Sequence, residues 1–536
     1  MSVNRRLHQD RHEQLMIIGM WVRVGRMDDP STPSDKLDRG VIVTGLVVIS
    51  GTIMVLLDTT IVNVALDTLR RELDTPLVTT QWVVTGYLLA VGVVIPVTGW
   101  AIDRFGAKTV WITAITLFTT GSVLCASAWS IQSLIAFRLL QGLGGGMLIP
   151  GGQTIIARAA GPERMGRAMS LIGVPMLLGP VLGPVLGGFI VQHVSWHWIF
   201  LINVPVGALA VWLAVRKLPA GGALAEPGRL DYRGLVLLSG GLVCLLYGLS
   251  EASARAGFAE WGVIGWLIAG AALVAGYVMY SLKIGPSSIV DVRLFANRTF
   301  ASGSVAILLI AVGMFGAMLL LPLYYQNVRG EGAFGAGLLL APQGLGAMVA
   351  MPLAGRITDR AGAGYVVPVG VVLALLGTAP YGAVGAETSY VWLALALFVR
   401  GLGFGAVMMP TIATSYSRLS KAAVSRGATT VSAIQQVGGS LGSALLVMVF
   451  TRASAAEFEE AGLSGADGGI DQMGSIPADA REAAAPLLAN AFGQAFWVSF
   501  GLLTLILIPA YFFPRKRKAR NAPPAVESDA RRSTHG

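Results

Sequence analysis

The sequence predicts an all-α integral membrane protein with about fourteen transmembrane helices, on three observations. Hydrophobic residues make up 54% of the 536 residues and charged residues only 13%, whereas a soluble domain carries about 25% charged residues. The mean hydropathy is +0.68, so a water-soluble globule of this composition would expose large apolar patches. The 68 glycines recur inside the apolar runs, where close helix packing in lipid favours small residues.

Apolar runs near the length that spans a bilayer as a helix, about 20 residues, define the elements in order. The predicted spans are 41–64, 80–102, 109–129, 131–157, 167–192, 197–215, 234–250, 261–282, 300–323, 335–354, 365–384, 389–411, 424–450 and 493–513. The seventh is the weakest because it is short and rich in glycine. The predicted domains are an N-terminal six-helix bundle (41–215), a linker with two extra helices (216–299) and a C-terminal six-helix bundle (300–514).

The ends of the chain are predicted to be cytoplasmic tails, at 1–40 and, with a basic run, at 515–536. The apolar stretch Leu15–Val22 is too short to span and lacks a small-residue cleavage site, so no cleavable signal peptide is predicted. Met27 opens an ordinary polar leader. This favours a start at Met27, with residues 1–26 an over-extension or a disordered tail.

The distribution of Lys and Arg predicts the orientation in the cell membrane. Cytoplasmic loops carry an excess of these residues, and most lie in the loops that follow even-numbered spans, such as Arg104, Lys108, Arg158, Arg216 and Lys217. Both termini are therefore expected in the cytoplasm, which requires an even number of spans. These loops also explain the net charge of +10, so a nucleic-acid-binding function is excluded. The long exterior segment, 452–492, is acidic and predicted to be a loop.

Two sequence segments recur in the same order in the second half of the chain. GWAIDRFGAK at 99–108 returns as GRITDRAGAG at 355–364, and RLLQGLGGG at 138–146 returns as RGLGFG at 400–405. Transporters are commonly built from such repeats, with the substrate site at their interface near the bilayer midplane. The repeat therefore predicts two related bundles that move small molecules across a membrane.

Charged residues inside the spans are the next candidates, because a charge at the centre of a membrane helix costs about 2.5–3.5 kcal/mol. Asp58 is the acid well inside a span, and Arg138 and Arg400 are the bases. The helical rise places Asp58 and Arg138 about 8–12 Å from the exterior end, which predicts an ion pair that exchanges protons. Alternatively, Asp58 bonds a neighbouring helix without titrating, and Arg138 pins helices through backbone carbonyls.

The fifth span reads GVPMLLGPVLGPVLGG from Gly173 to Gly188. Glycines four residues apart share one helix face and permit close contact, and internal prolines favour a bend. The residues of this ladder are Gly179, Pro180, Gly183, Pro184, Gly187 and Gly188. A tightly packed, kinked helix is one interpretation, and a bend that seals the bundle interface against leak is the other.

The repeated loop is a candidate conformational latch. It contains glycines, which allow a tight turn and close approach, and charged residues: Gly99, Asp103, Arg104, Gly106 and Lys108, with Asp359 and Arg360 in the second half. The charges alone are typical of any cytoplasmic loop, and their repetition favours a mechanical role.

Further polar and aromatic residues inside spans are candidates for a substrate pocket. They are Gln141, Gln435, Gln436, Arg400 and Phe404. Interhelical hydrogen bonding is an equal alternative for Gln435 and Gln436, and ordinary packing is the simpler interpretation of Phe404. No metal-ligand cluster, nucleophile constellation or phosphate-binding loop is present in the sequence, so we expect no enzyme activity, metal or cofactor, and no direct drive by ATP. We expect a monomer.

Together these motifs resemble the major facilitator superfamily, and within it the fourteen-span drug:proton antiporter family, from about Val41 to Pro514. LDTTIVNVAL (57–66) is similar to the motif whose acid couples protons, which implies this role for Asp58. The resemblance also implies proton transfer at Arg138, a latch at 99–108, and export from the span-5 run. Asp67 and His197 depart from the family pattern.

The function predicted from these features is a proton-coupled antiporter that exports small amphipathic compounds, such as drugs, by alternating access driven by the proton gradient. Export of a specific endogenous lipid, metabolite or antibiotic is the alternative. A channel or a membrane receptor is a further alternative, which the duplicated halves and the repeated loop argue against.

Overall fold

The computed structural model describes residues 38–219, 229–420, 423–461 and 478–515, and all regular secondary structure in these ranges is helical. The helices are α1 (Arg39–Glu72), α2 (Leu77–Phe105), α3 (Ala107–Ala126), α4 (Ile131–Ala160), α5 (Met165–His193), α6 (Trp198–Leu201), α7 (Asn203–Lys217), α8 (Tyr232–Ala254), α9 (Trp261–Ile284), α10 (Arg298–Asn327), α11 (Ala333–Ala361), α12 (Ala363–Gly382), α13 (Tyr390–Tyr416), α14 (Val424–Glu460), α15 (Ala478–Thr504) and α16 (Leu507–Tyr511). The predicted tail at 1–37, including the start at Met27, and the tail at 516–536 lie outside the described residues.

The helices confirm a membrane protein of about fourteen spans. Within the described residues, 13 helical segments are long and apolar enough to cross a membrane by length and composition. The fifth predicted span is occupied by α5, a helix of 29 residues. The sixth span, Trp198–Lys217, combines α6 and α7.

The segment predicted as an exterior loop at 452–492 is largely helical, so the loop prediction was wrong over most of its length. Helix α14 continues to Glu460, and α15 begins at Ala478; residues 462–477 lie outside the described residues. Alanine and glutamate are strong helix formers, and they dominate both extensions. Phe458 and Leu488 also join a shared buried cluster, so tertiary packing supports helix beyond the apolar stretches.

The repeated loop adopts the same turn in both halves. Gly106 separates α2 from α3 with φ 82°, and Gly362 separates α11 from α12 with φ 92°. A side chain would strain this backbone conformation, which glycine adopts freely. The sequence repeat is therefore also a structural one.

Helices α1–α7 pack together, as do α10–α16, and α8 contacts both groups through α2 and α14. Ser239 on α8 donates a hydrogen bond to the carbonyl of Val93 at 2.8 Å. On the other side, Ala252 is buried with Val263 and Ala444. The helix α9 packs on α8. The first extra helix is therefore wedged beside the interface between the two groups.

Candidate functional site

The predicted ion pair is present in the first group of helices. Arg138 Nη1 on α4 lies 2.6 Å from Asp58 Oδ2 on α1. Both side chains are at most 1% exposed. A buried ion pair needs further hydrogen bonds to offset the loss of hydration, so the surroundings of this pair determine what it can do.

Three polar side chains complete the Asp58 cluster, which we define as Asp58, Arg138, Gln141, Ser122 and Asn203. Gln141 Nε2 and Asn203 Nδ2 donate to Asp58 Oδ1 at 2.9 and 3.1 Å. Gln141 Oε1 accepts from Arg138 Nη1 at 2.7 Å, and the Ser122 hydroxyl accepts from both amides. The carboxylate is therefore held by three side-chain donors from α4 and α7.

Gln141 was predicted as a contact in a substrate pocket, and the structure places it inside this cluster instead. Both ends of its amide are bonded to cluster members, and the side chain is fully buried. Because Gln141 follows Arg138 by three residues, one helical turn brings both to the same face. Its geometry fits a role in orienting the ion pair.

The remaining contacts of Arg138 tie it to a third helix. Its Nε donates to the carbonyl of Val83 on α2 at 3.1 Å, and its guanidinium lies 4.3 Å from the ring centroid of Tyr87. The ring of Phe200 lies on another side at 5.6 Å. Arg138 therefore pairs with the acid and also pins a helix through a backbone carbonyl.

Asp103, at the end of α2, connects the two halves of the molecule. Its Oδ1 accepts from Ser425 Oγ on α14 at 2.7 Å and from Arg158 Nη2 on α4 at 3.2 Å. Arg426 Nε lies 3.6 Å from Oδ2. Close approach here depends on Gly99, where a Cβ would lie 2.9 Å from the Thr429 hydroxyl.

Asp359 makes the reciprocal connection from α11 to α5. Its carboxylate accepts from the backbone N–H groups of Gly166 and Arg167 at 2.8 and 3.2 Å, and from Arg167 Nε at 3.0 Å. The first N–H groups of a helix have no partner within the helix, and their positive end favours an anion. The repeated acids thus hold opposite halves together at one end of the helices, the end predicted to face the cytoplasm.

Two further hydrogen bonds join the halves near the same end. Ser170 Oγ on α5 donates to the carbonyl of Met351 on α11, and Tyr416 Oη on α13 donates to Gln153 Oε1 on α4, each at 2.8 Å. All four donor and acceptor residues are buried. The molecule is therefore closed at the predicted cytoplasmic end.

Other residues of the predicted latch have different surroundings. Lys108 Nζ donates to the carbonyls of Val215 and Leu218 at 2.8 and 2.9 Å, so it caps the C-terminus of α7 rather than joining the halves. Lysine commonly satisfies the last carbonyls of a helix in this way. Arg104 and Arg360 are exposed.

The glycine ladder of α5 packs against α1. A Cβ at Gly179 would lie 2.9 Å from Leu56 Cβ, one at Gly183 would overlap Thr60, and one at Gly187 would lie 3.2 Å from Ile61 Cγ2. Gly188 is buried, and the side chains of Pro180 and Pro184 lie outside the described ones. The ladder therefore provides close contact within the first half, beside Asp58.

The remaining pocket candidates lie on two helices. Gln435 and Gln436 are half-buried on α14, whereas Arg400 and Phe404 are buried on α13, with the guanidinium 4.9 Å from the ring centroid. Among the described residues, no group of three or more His, Cys, Asp or Glu side chains is arranged to hold a metal ion.

Sequence reasoning missed Ser122, Asn203 and Ser425. Serine and asparagine hydrogen-bond between membrane helices in many places, so the residue type alone does not single them out. Of the three, Asn203 could have been recognised from the sequence, because it interrupts the apolar run WHWIFLINVPVG.

Comparisons with known proteins agree with this architecture. The sequence model of the Major Facilitator Superfamily matches residues 48–445. "Multidrug resistance protein B homolog" of Mycobacterium tuberculosis is 39% identical over 508 residues, which cover 92% of this chain and 94% of that protein. "Putative multidrug resistance protein MdtD" of Serratia proteamaculans is 34% identical over 74% of this chain and 82% of its own length.

Solved structures with the same fold include the human organic anion transporter MFSD10, with a TM-score of 0.57 at 15% identity over 88% of this chain and all (100%) of that one. The proton:xylose symporter XylE has a TM-score of 0.57 at 14% identity over 87% of this chain and 94% of its own. On the match over most of its length and the relatives above 30% identity, the chain belongs to the Major Facilitator Superfamily of membrane transporters.

Proposed function

We propose that this chain is a proton-coupled exporter of small amphipathic compounds, which exchanges them for protons by alternating access. The observation that carries the proposal is the buried pair of Asp58 and Arg138, an ionisable acid inside a membrane-spanning helix with an opposite charge at 2.6 Å. Intramembrane acids of this kind mark proton relays in pumps and transporters. Relatives named as multidrug resistance proteins support a drug-like substrate.

A proton on Asp58 would change the contacts between α1, α4 and α7. As a carboxylate, Asp58 only accepts hydrogen bonds and attracts Arg138 by charge. Protonation removes the charge and converts one oxygen into a donor, which cannot face the N–H donors of Arg138, Gln141 or Asn203. Uptake of a proton therefore loosens the cluster, and release restores it.

The closed end of the molecule supports an order of events. Because the contacts of Asp103 and Asp359 are formed in this conformation, we assign it to the stage at which the cytoplasmic gate is shut and Asp58 is ionised. A proton from outside then neutralises Asp58 and favours opening toward the cytoplasm. Substrate capture accompanies release of the proton to that side, so the gradient drives export without a cofactor.

In this scheme the protein acts as a monomer in the cell membrane, with both termini in the cytoplasm. The two repeated acids form the latch that each cycle breaks and remakes. Because they lie on α2 and α11, which the repeat relates, opening would release both halves together. We keep the term latch for Asp103 and Asp359 with their partners across the interface.

The direct test is replacement of Asp58 by asparagine in purified protein reconstituted into liposomes, with ethidium as the transported probe. We expect Asp58→Asn to abolish ethidium accumulation driven by a pH gradient and to retain ethidium exchange without a gradient. Glu387→Gln, which removes an exposed carboxylate, is the matched control and should behave as wild type. Gradient-driven accumulation by Asp58→Asn at the wild-type rate would exclude the assigned role.

Substrate class is tested by growth inhibition in a host that lacks its own efflux pumps. Resistance to several unrelated amphipathic compounds supports a multidrug exporter. Resistance confined to one compound, or none, supports the alternative of a dedicated lipid, metabolite or antibiotic exporter.

A further inference from the structure

Arg400 is the counterpart of Arg138 in the second half of the chain, because both open the repeated segment RLLQGLGGG and RGLGFG. It lies on α13 and is 1% exposed. Its Nη1 donates to Gln343 Oε1 at 2.8 Å, and its Nε donates to Thr378 Oγ1 at 3.2 Å. The arginine is therefore fixed by neutral side chains from α11 and α12.

The second arginine differs from the first because no acid of the described residues pairs with it. No described carboxylate lies within ion-pair distance of Arg400. The helix α10, which corresponds to α1 in the repeat, contains no Asp or Glu at all. The second half thus has a buried cation at this position, without a counter-charge among the described residues.

One hydrogen-bond donor at this place is also unused. Arg400 Nη2 is buried and has no hydrogen-bond partner among the described residues. The amide of Gln343 lies beside it, with Oε1 bonded to Arg400 Nη1 and the side chain 6% exposed. Most buried polar atoms in proteins are satisfied, so a free donor on a buried arginine with no described acid at ion-pair distance indicates a group that the protein binds.

We propose that Arg400 and Gln343 form a binding site for a monovalent anionic group, with Thr378 holding the guanidinium in place. An anion accepts hydrogen bonds and supplies the missing negative charge, and the planar arginine fork suits a carboxylate. Phe404 backs the guanidinium at 4.9 Å and provides an apolar face. The anion is the carboxylate of a transported amphipathic molecule or an inorganic ion such as chloride.

Only the identification of the anion as a transported carboxylate rests on the proposed transport function. The test therefore measures binding rather than transport. The thermal unfolding midpoint of the purified full chain in micelles is followed in chloride-free buffer with added 1-naphthoate, its methyl ester or sodium chloride. We expect wild-type protein to be stabilised by 1-naphthoate and not by the ester. Arg400→Gln should weaken the apparent affinity for 1-naphthoate at least tenfold.

Arg298→Gln, which removes an exposed guanidinium, is the control and should bind 1-naphthoate as wild type does. Stabilisation by chloride alone, lost in Arg400→Gln, would support the site and identify the inorganic source. The proposal is overturned if neither anion stabilises wild type, or if both stabilise Arg400→Gln equally well.

A variant that keeps the charge guards against a failure of Arg400→Gln to fold. Gln343→Met removes the second donor and leaves Arg400 in place, so it should weaken 1-naphthoate binding several-fold; unchanged binding would count against the site. Asp58→Asn separates the two proposals. Gradient-driven transport retained in that variant, with 1-naphthoate binding intact, would refute the proton-coupling role alone. Transport lost in that variant, with no 1-naphthoate binding to wild type, would refute the anion site alone.

Discussion

The latch at Asp359 gives a quantitative prediction for Asp359→Asn. The substitution keeps the size of the side chain and removes its charge. The wild-type carboxylate accepts two backbone N–H bonds from the start of α5 and one bond from Arg167 Nε, at 2.8–3.2 Å. These contacts join the two halves, so their loss changes the balance between the closed conformation and one open at the predicted cytoplasmic end.

The magnitude follows from the kind of bond. A hydrogen bond to a charged group contributes about 1.5–3 kcal/mol, and an anion at a helix N-terminus contributes up to about 2 kcal/mol in partly buried geometry. An asparagine oxygen still accepts one N–H, so we estimate a net loss of about 2–4 kcal/mol. At about 1.4 kcal/mol per factor of ten, the closed conformation loses about 30- to 700-fold in relative population.

The measurement is a distance distribution between spin labels at Thr109 on α3 and Tyr365 on α12, which are exposed positions just beyond the repeated turns. Cys244 is replaced by alanine, whereas Cys125 is buried and stays unlabelled. Asp359→Asn should add a population at longer distance in lipid nanodiscs. The same labels with Glu387→Gln, an exposed carboxylate, provide the control. A distribution identical to that of wild type would refute the latch assignment.

Two further predictions concern stability, measured as denaturant or thermal unfolding in micelles. Arg138→Met leaves the Asp58 carboxylate buried without its cation, which should lower the free energy of unfolding by about 3–5 kcal/mol. The double variant Arg138→Met with Asp58→Leu should recover most of this loss. A double variant as unstable as the single one would contradict the prediction. Gly183→Ala should lower the free energy of unfolding by about 1–3 kcal/mol through overlap with Thr60, with partial recovery in Thr60→Ala. Gly262→Ala, where nothing lies within 4 Å, should be neutral, and equal effects at both glycines would exclude the packing argument.

The sequence predicted the Asp58–Arg138 pair because charge inside a membrane helix is rare and costly. A charged residue within an apolar run can therefore be recognised from the sequence alone. Matching depths along two helices then made Arg138 a candidate partner of Asp58. The same reasoning could not find Ser122 or Asn203. Their participation depends on how α3 and α7 are rotated against α1 and α4, and rotation is set by packing that the apolar pattern does not record.

The latch shows a second limit of sequence reasoning. The repeat identified Asp103 and Asp359, and the turn glycine at Gly106 has the expected backbone. Their partners Ser425 and Arg167 come from the opposite half, where a change of a few ångströms in helix position selects a different neighbour. Lys108 was assigned to the latch for its charge, yet the last carbonyls of α7 lie closer to it.

Helix α5 connects the latch at Asp359 with the Asp58 cluster. Its first turn is held by Asp359 from the other half. Further along, Gly179 and Gly183 contact Leu56 and Thr60, the α1 residues on either side of Asp58, with no room for even a Cβ. Because close-packed helices transmit displacement instead of absorbing it, α5 cannot move with its N-terminal latch unless α1 moves or their contact breaks. In the proposed cycle, opening of the latch would therefore be coupled to a change in the Asp58 cluster through α5, by way of the glycines Gly179, Gly183 and Gly187 that face α1.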